Sequence, residues 1–184
     1  VGIIQDITKE KKDKIEIMKA KNKAEKLAMF DYLTNTYNRR AFFIRAKEEF
    51  SRAKRQNKPI SIILTDLDKF KLINDTYGHP AVDAVLRTLG GILRSNLRQS
   101  DICIRYGGDE FFILFNKISF SACKKLLERI RKAVSTAVVD VGGRKLHFSI
   151  AAGVFQIQNG MSYEQALAEA DKLLYEEKRL RNHF

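Results

Sequence analysis

Two short acidic segments hold the side chains with which this chain could do chemistry. Thr65-Asp66-Leu67-Asp68 closes the apolar run Ile60-Ser-Ile-Ile-Leu64, and Arg105-Tyr-Gly-Gly-Asp-Glu-Phe111 lies between Ile102-Cys-Ile104 and Phe111-Phe-Ile-Leu-Phe115. The second pattern predicts a tight β-hairpin with acids at its tip. Gly107-Gly108 suits a two-residue turn at positive φ and lets backbone N–H groups approach an anion closely. Carboxylates beside such a turn can hold a hard cation such as Mg²⁺ against phosphate oxygens. Each segment alone has a plainer reading, since Gly and Asp are ordinary turn residues and a single Asp past a strand is an ordinary helix cap. Paired, they form two arms of a cation clamp, with one arm at the carboxyl end of a core strand, where open α/β sheets place ligands.

The elements that must position these acids alternate along the chain. Asn38 predicts the cap of a helix running to about Gln56, with Phe42, Phe43, Ala46 and Phe50 on one face and Asn57-Lys-Pro59 ending it. Ile60 to Thr65 reads as a buried strand. Apolar residues at Val82, Val85, Leu86, Leu89, Ile92, Leu93 and Leu97 predict a helix packed along one side. A third helix over roughly Ser121 to Val138, a strand over Lys145 to Val154 and a last helix over Ser162 to Leu180 complete an α/β (α+β) arrangement, a central sheet covered by helices. Ahead of them, Val1 to Thr8 is β-like with nothing nearby to pair with. Lys9 to Phe30 is Lys-rich and helix-favouring, with Ile17, Ala20, Ala24 and Leu27 at a/d spacing. That seam covers under two heptads, so a connector helix that pairs with a second copy and a solvated single helix are equal readings.

With 184 residues, the chain is one domain plus an appendage, and its formal charge of +12 favours polyanionic partners. It shows no nucleic-acid module or aromatic platform, so nucleic acid is not the expected partner. Neither a membrane-length apolar run nor a charged-then-apolar leader appears. Cys103 and Cys123 lie in apolar surroundings and read as reduced core residues. The expectation is a cytoplasmic domain, with membrane attachment of a longer protein left open.

As a set, these motifs resemble the GGDEF family, the diguanylate cyclases that condense two GTP into cyclic di-GMP and release pyrophosphate. The resemblance runs from Asp31 to the C-terminus. It rests on Asp31-Tyr-Leu-Thr-Asn-Thr-Tyr-Asn-Arg-Arg40, Asp66-Leu-Asp-Lys-Phe-Lys-Leu-Ile-Asn-Asp75, Tyr77-Gly-His79, Arg105 to Phe111, and Ala170-Asp171 with Tyr175 and Lys178. It implies a mostly antiparallel sheet of the ferredoxin-like, nucleotidyl cyclase-palm type with an N-terminal helical extension. Val1 to Thr8 is similar to the last strand of a PAS sensor domain. The implied organisation is a PAS remnant over 1–8, a connector helix over 9–30 and the GGDEF domain over 31–184.

The resemblance also implies roles. Asp66, the Leu67 carbonyl and Asp109 would hold Mg²⁺, or Mn²⁺ in its place, and Asp109 would act on the attacking 3′-hydroxyl. Lys71 would offset charge on the phosphates, and Phe70 and Lys71 would offer backbone N–H groups to them. Asn74 and Asp83 would read guanine, and Lys178 would meet the γ-phosphate. Asp68 and Glu110 would position their neighbours. Arg98 and Asp101 stand at the spacing of a product-inhibition site, RxxD, joined by Arg129; a plain Asp cap after a helical Arg is the alternative there. Catalysis would need a homodimer, each domain bringing one GTP. The alternative is a weak or inactive module that binds GTP or cyclic di-GMP as a receptor.

Three departures from the family pattern stand out. Val82 replaces a usual glycine, where it would sit in a loop near the base and narrow the guanine pocket. Asn35-Thr36 replaces Gly-Leu, and Asn tolerates the left-handed conformation, so that turn should survive. In Lys178-Arg-Leu-Arg-Asn182 the usual Gly is missing and Arg181 falls one position early, so no role carries over to it.

Overall fold

The longest apolar run becomes the central strand. In the computed structural model, which describes residues 2–56, 58–157 and 160–181, β1 (Ile60–Leu67) is buried over its whole length. β3 (Glu110–Asn116) pairs on one side and β6 (Ile150–Gln156) on the other, with β2 (Ile102–Arg105) outside β3. The order is β2-β3-β1-β6, and every ladder is antiparallel. Side chains alternate across a strand, so the sheet has two apolar faces. Ile63, Leu67, Phe111, Ile113 and Phe115 enter one core. Ile60, Ile62, Leu64, Phe112 and Leu114 enter the other.

Helices cover both faces. α4 (His79–Asn96) and α5 (Phe120–Thr136) pack on the first through Val85, Leu86, Leu89, Leu93, Cys123, Leu127 and Ile130. α2 (Arg39–Gln56) and α6 (Tyr163–Arg181) pack on the second through Phe42, Ala46, Ala166, Ala170 and Leu174. Small residues on α6 let it lie close to the sheet. A Cβ on Gly153 of β6 would stand 2.5 Å from the Ala170 carbonyl oxygen and 2.7 Å from the Leu174 nitrogen. A short α3 (Phe70–Tyr77) follows β1 and turns into α4 at Gly78, whose φ is 76°. Asn38 caps α2 as expected, its Oδ1 accepting from Ala41 N at 3.0 Å. Asn35 takes a φ of 54°, so the substituted turn does survive. Both cysteines are free and buried. No helix among the described residues is long and apolar enough to cross a membrane.

Several expectations are corrected. The strand expected over 1–8 is helical from Gly2, because α1 (Gly2–Met29) runs unbroken through it. A lone strand leaves its N–H and C=O groups unpaired, whereas a helix pairs them internally. Val1, Asn57 and Asn182 lie outside the described residues. Phe43 is 49% exposed while Phe42 and Ala46 are buried, so the apolar face of α2 is narrower than expected. The strand expected over 145–154 is two: β4 (Val139–Val141) and β5 (Arg144–Leu146) form a separate hairpin, and β6 starts anew at Ile150. Val82 is not in a loop at the base but in the first turn of α4, buried in the core beneath it. Of the residues forming the expected seam in α1, Ile17, Ala20 and Ala24 face solvent, Ile17 at 67% exposure.

Candidate functional site

Asp66 is the seventh residue of β1, and Glu110, the first of β3, stands opposite it. Past that pair the chains stay tied, since Leu67 N–H donates to the Asp109 carbonyl at 3.3 Å. This backbone contact, two apolar strands held in register, puts the Asp109 carboxylate beside the end of β1. Burial first, then the Asp66 charge, raises the Asp109 carboxyl above the ordinary Asp value, with Lys178 and Arg105 pulling the other way. Glu110 is raised by burial and by Asp66 and Asp109. Elevation of both Asp109 and Glu110 by burial and neighbouring charge is the mark of acids converging in a partly desolvated site.

The turn that carries Asp109 differs from the expected form. It spans Tyr106 to Asp109, with Tyr106 N and Gly107 N both donating to the Glu110 carbonyl at 2.8 and 3.3 Å. Neither Gly107 nor Gly108 adopts positive φ; the left-handed glycine pair is Gly142-Gly143, at 60° and 83°, in the β4–β5 hairpin. A Cβ on Gly107 would meet the Glu110 carboxylate, the far end of a side chain that can swing aside. Arg105 fixes the turn from outside. Its Nη2 and Nε donate to the Gly108 carbonyl at 2.7 and 3.1 Å, and its Nη1 reaches both Asp31 oxygens at 3.2 Å. Burial alone would raise the Asp31 carboxyl; hydrogen bonds from Thr34 and the Arg105 charge overcome that and hold it low.

On the other side of β1, the chain leaves through Asp68 and Lys69, the latter at φ 57°. Phe70 and Lys71 are the first two residues of α3, so their N–H groups have no partner within the helix and face the start of its dipole. Lys71 is exposed. Asn74 lies one turn on, and its buried Oδ1 has no hydrogen-bond partner. Such an orphaned acceptor is costly unless a ligand donates to it. Asp83, at the start of the second turn of α4, has a side chain 41% exposed and 3.6 Å from Arg87. Lys178, in the last turns of α6, places its ammonium 2.7 Å from Asp66 Oδ2.

The donor set fits the expected cation. Mg²⁺ is usually bound by one or two carboxylates and completes its shell with phosphate oxygens and water. Asp66 and Asp109 supply that number. Among the described residues no three acidic, His or Cys side chains gather as a closed cage, so phosphate would complete the shell.

Arg98, Asp101 and Arg129 are also brought together. They line one cleft of about 520 Å³ between the end of α4 and α5. Asp101 Oδ2 accepts from Arg98 N at 2.9 Å, so the acid does close this turn. The Arg129 guanidinium donates to Asn96 Oδ1 and to the Asn96 carbonyl at 2.9 and 2.8 Å.

Two supporting groups escaped the sequence. Asp31 and Arg105 both stand in conspicuous motifs, but no spacing reveals that residues 74 positions apart meet. Arg181 reaches Asp68 at 2.8 Å, joined there by Ser149 Oγ at 2.6 Å.

The chain matches the family model "Diguanylate cyclase, GGDEF domain" over residues 28–183. It is 37% identical over 152 residues to diguanylate cyclase DgcP of Pseudomonas aeruginosa, a match covering 83% of this chain and 23% of that protein. It is also 37% identical to diguanylate cyclase DgcS of Shewanella oneidensis, covering 82% of this chain and 50% of that one. The chain thus spans no more than half the length of either relative. Among solved structures, the GGDEF domain of DgcB from Caulobacter crescentus in complex with c-di-GMP superposes with a TM-score of 0.80 at 30% identity, covering 83% of this chain and 91% of that one. The coiled coil and GGDEF domain of DgcB, also in complex with c-di-GMP, superposes at 0.89 and 25% identity, covering 97% and 95%.

Proposed function

The chain belongs to the diguanylate cyclase GGDEF family, and from that premise we propose that it condenses two GTP into cyclic di-GMP. One observation carries the reading: the end of β1 and the Tyr106–Asp109 turn hold Asp109 beside Asp66, where burial and the Asp66 charge oppose the ionisation of Asp109. Two carboxylates kept side by side at such a cost call for a cation. Mg²⁺ or Mn²⁺ bound there would draw charge from the triphosphate and acidify the attacking hydroxyl.

The chain's own residues supply the rest. Phe70 and Lys71 offer backbone N–H groups to phosphate from the start of α3, and the Lys71 ammonium offsets charge that builds in the transition state. Asn74 Oδ1 and the Asp83 carboxylate accept from the guanine edge, where adenine would leave them unpaired. Lys178, which pairs with Asp66, would meet a terminal phosphate. Asp109 takes the proton of the 3′-hydroxyl; that oxygen bonds to the α-phosphorus of the GTP held by a second domain, and the bond to pyrophosphate breaks. The same transfer in the opposite sense closes the ring and frees the second pyrophosphate. A raised carboxyl suits a proton acceptor.

Each domain brings one GTP, so two must face each other. The solvent-facing Ile17, Ala20 and Ala24 of α1 support pairing through that helix, and a PAS sensor ahead of it would act by changing how often the two sites meet. Incubation with GTP and Mg²⁺, with the product identified by mass, tests the reading. Cyclic di-GMP is expected, with a rate rising more steeply than linearly with protein concentration. Unchanged GTP would favour the receptor alternative, and a strictly first-order rate would remove the requirement for two domains.

Product feedback is part of the proposal. Guanidinium groups grip phosphate in bidentate fashion, and the cleft presents Arg98 and Arg129 beside Asp101. Arg98→Ala is expected to weaken inhibition by cyclic di-GMP by about 10-fold or more, the loss of one such charged contact, while initial rates without product stay near the parent's. Equal inhibition of variant and parent would exclude this cleft.

A further inference from the structure

The last turn of α6 reaches the end of β1 with two cations. Lys178 and Arg181, three apart on a helix, lie on one face; Lys178 meets Asp66 and Arg181 meets Asp68. The contacts of Arg181 are the denser set. Its Nη1 donates to Asp68 Oδ2 and to the Ile150 carbonyl, both at 2.8 Å, and its Nε lies 3.0 Å from Glu177 Oε1. Glu177 is in turn held by Arg131 of α5. Asp68 receives Ser149 Oγ at 2.6 Å on the same oxygen, and its own N–H donates to the Ser149 carbonyl at 2.9 Å. The end of α6 and the residue just ahead of β6 therefore converge on the single residue that joins β1 to the left-handed Lys69.

That junction sets the direction of α3. Lys69 is a non-glycine residue at φ 57°, a conformation that costs energy and persists only where the surroundings impose it. The N–H groups of Phe70 and Lys71 point wherever this turn aims them. We propose that Arg181 is a positioning residue for nucleotide binding: by clamping Asp68 against Ser149 and Ile150 it fixes the β1–α3 turn and so the phosphate-facing N–H groups, and it acts through Asp68 rather than on phosphate. The proposal rests on the functional reading above, which makes α3 the phosphate site.

Calorimetric titration of the full chain with a non-hydrolysable GTP analogue and Mg²⁺ tests it, on the parent, Arg181→Ala, Asp68→Ala, the double variant and Arg181→Lys, each with its melting temperature. Residues that orient a ligating group typically contribute 10- to 100-fold in affinity, so Arg181→Ala should bind about 10-fold more weakly well below its melting temperature. Arg181→Lys, which keeps one donor for Asp68, should fall between it and the parent. The double variant should bind no more weakly than the worse single variant, as coupled residues do. Unchanged affinity in Arg181→Ala, whatever its melting temperature, would leave only a structural role and overturn the proposal. Losses that multiply in the double variant would also overturn it, since Arg181 would then act independently of Asp68. A parent that does not bind the analogue would overturn the functional reading itself.

Discussion

Asp109→Asn should lose on the order of 10³-fold in the rate of cyclic di-GMP formation, the scale on which transition-state charge stabilisation is lost when one of its donors is removed, and it should melt no lower than the parent at neutral pH. The amide keeps the volume and the Leu67–Asp109 backbone contact but offers neither a charge to a cation nor a base to a hydroxyl. Stability moves the other way because the parent carboxylate is held ionised against burial and against Asp66. A carboxyl raised in the folded state binds its proton more tightly there than in the unfolded chain, so the folded protein loses stability as pH rises from the ordinary value of 3.8 through the raised one. Asn carries no such charge. Any gain in melting temperature should thus be full at neutral pH and vanish below 3.8, where both side chains are neutral. Turnover assays with melts at several pH values check both halves. A variant that keeps the parent's rate, or melts lower at neutral pH, contradicts this account of the site.

Gly153→Ala should be the most damaging small substitution in the sheet. Its Cβ would meet α6 backbone atoms at 2.5 and 2.7 Å, and main chain cannot swing aside as a side chain can. Overpacking of this kind costs about 3 kcal/mol, or roughly 6–12 °C in melting temperature for a domain of this size. The consequence reaches the site, because lifting α6 off β6 carries Lys178 and Arg181 away from Asp66 and Asp68. Nucleotide affinity should fall along with the melting temperature, as calorimetry and a thermal melt would show. A variant that melts with the parent would mean that α6 does not sit so closely on β6.

The parts that sequence made legible are those specified by local pattern. Apolar spacing from Val82 to Leu93 placed α4, the run Ile60 to Leu64 placed β1, and Asn38 announced the start of α2. The meeting of Asp66 with Asp109 was also foreseeable, since a strand end and a hairpin tip both carried acids. What failed depended on partners distant in the chain. The residues from 145 to 154 look like one strand, but those up to Leu146 pair with β4 while those from Ile150 pair with β1. Gly107-Gly108 and Gly142-Gly143 are alike on paper. Only the latter pair takes left-handed φ, in a two-residue link between β4 and β5; the former closes a longer turn in which Arg105 supplies the constraint. Val82 looked intrusive beside Asp83, yet helical periodicity sends adjacent residues to different faces, and Val82 enters the core. With it buried there, that objection to a guanine pocket disappears. Arg181, displaced by one position from the family pattern, gave no sign of Asp68, 113 residues earlier.

A crystal of the protein grown with a non-hydrolysable GTP analogue and Mn²⁺, with manganese located by its anomalous scattering, bears most directly on the claim at the centre of this account. A manganese ion touching both the Asp66 and Asp109 carboxylates and the triphosphate is the expected result. Manganese bound to the phosphates with either carboxylate turned away from it would contradict the account.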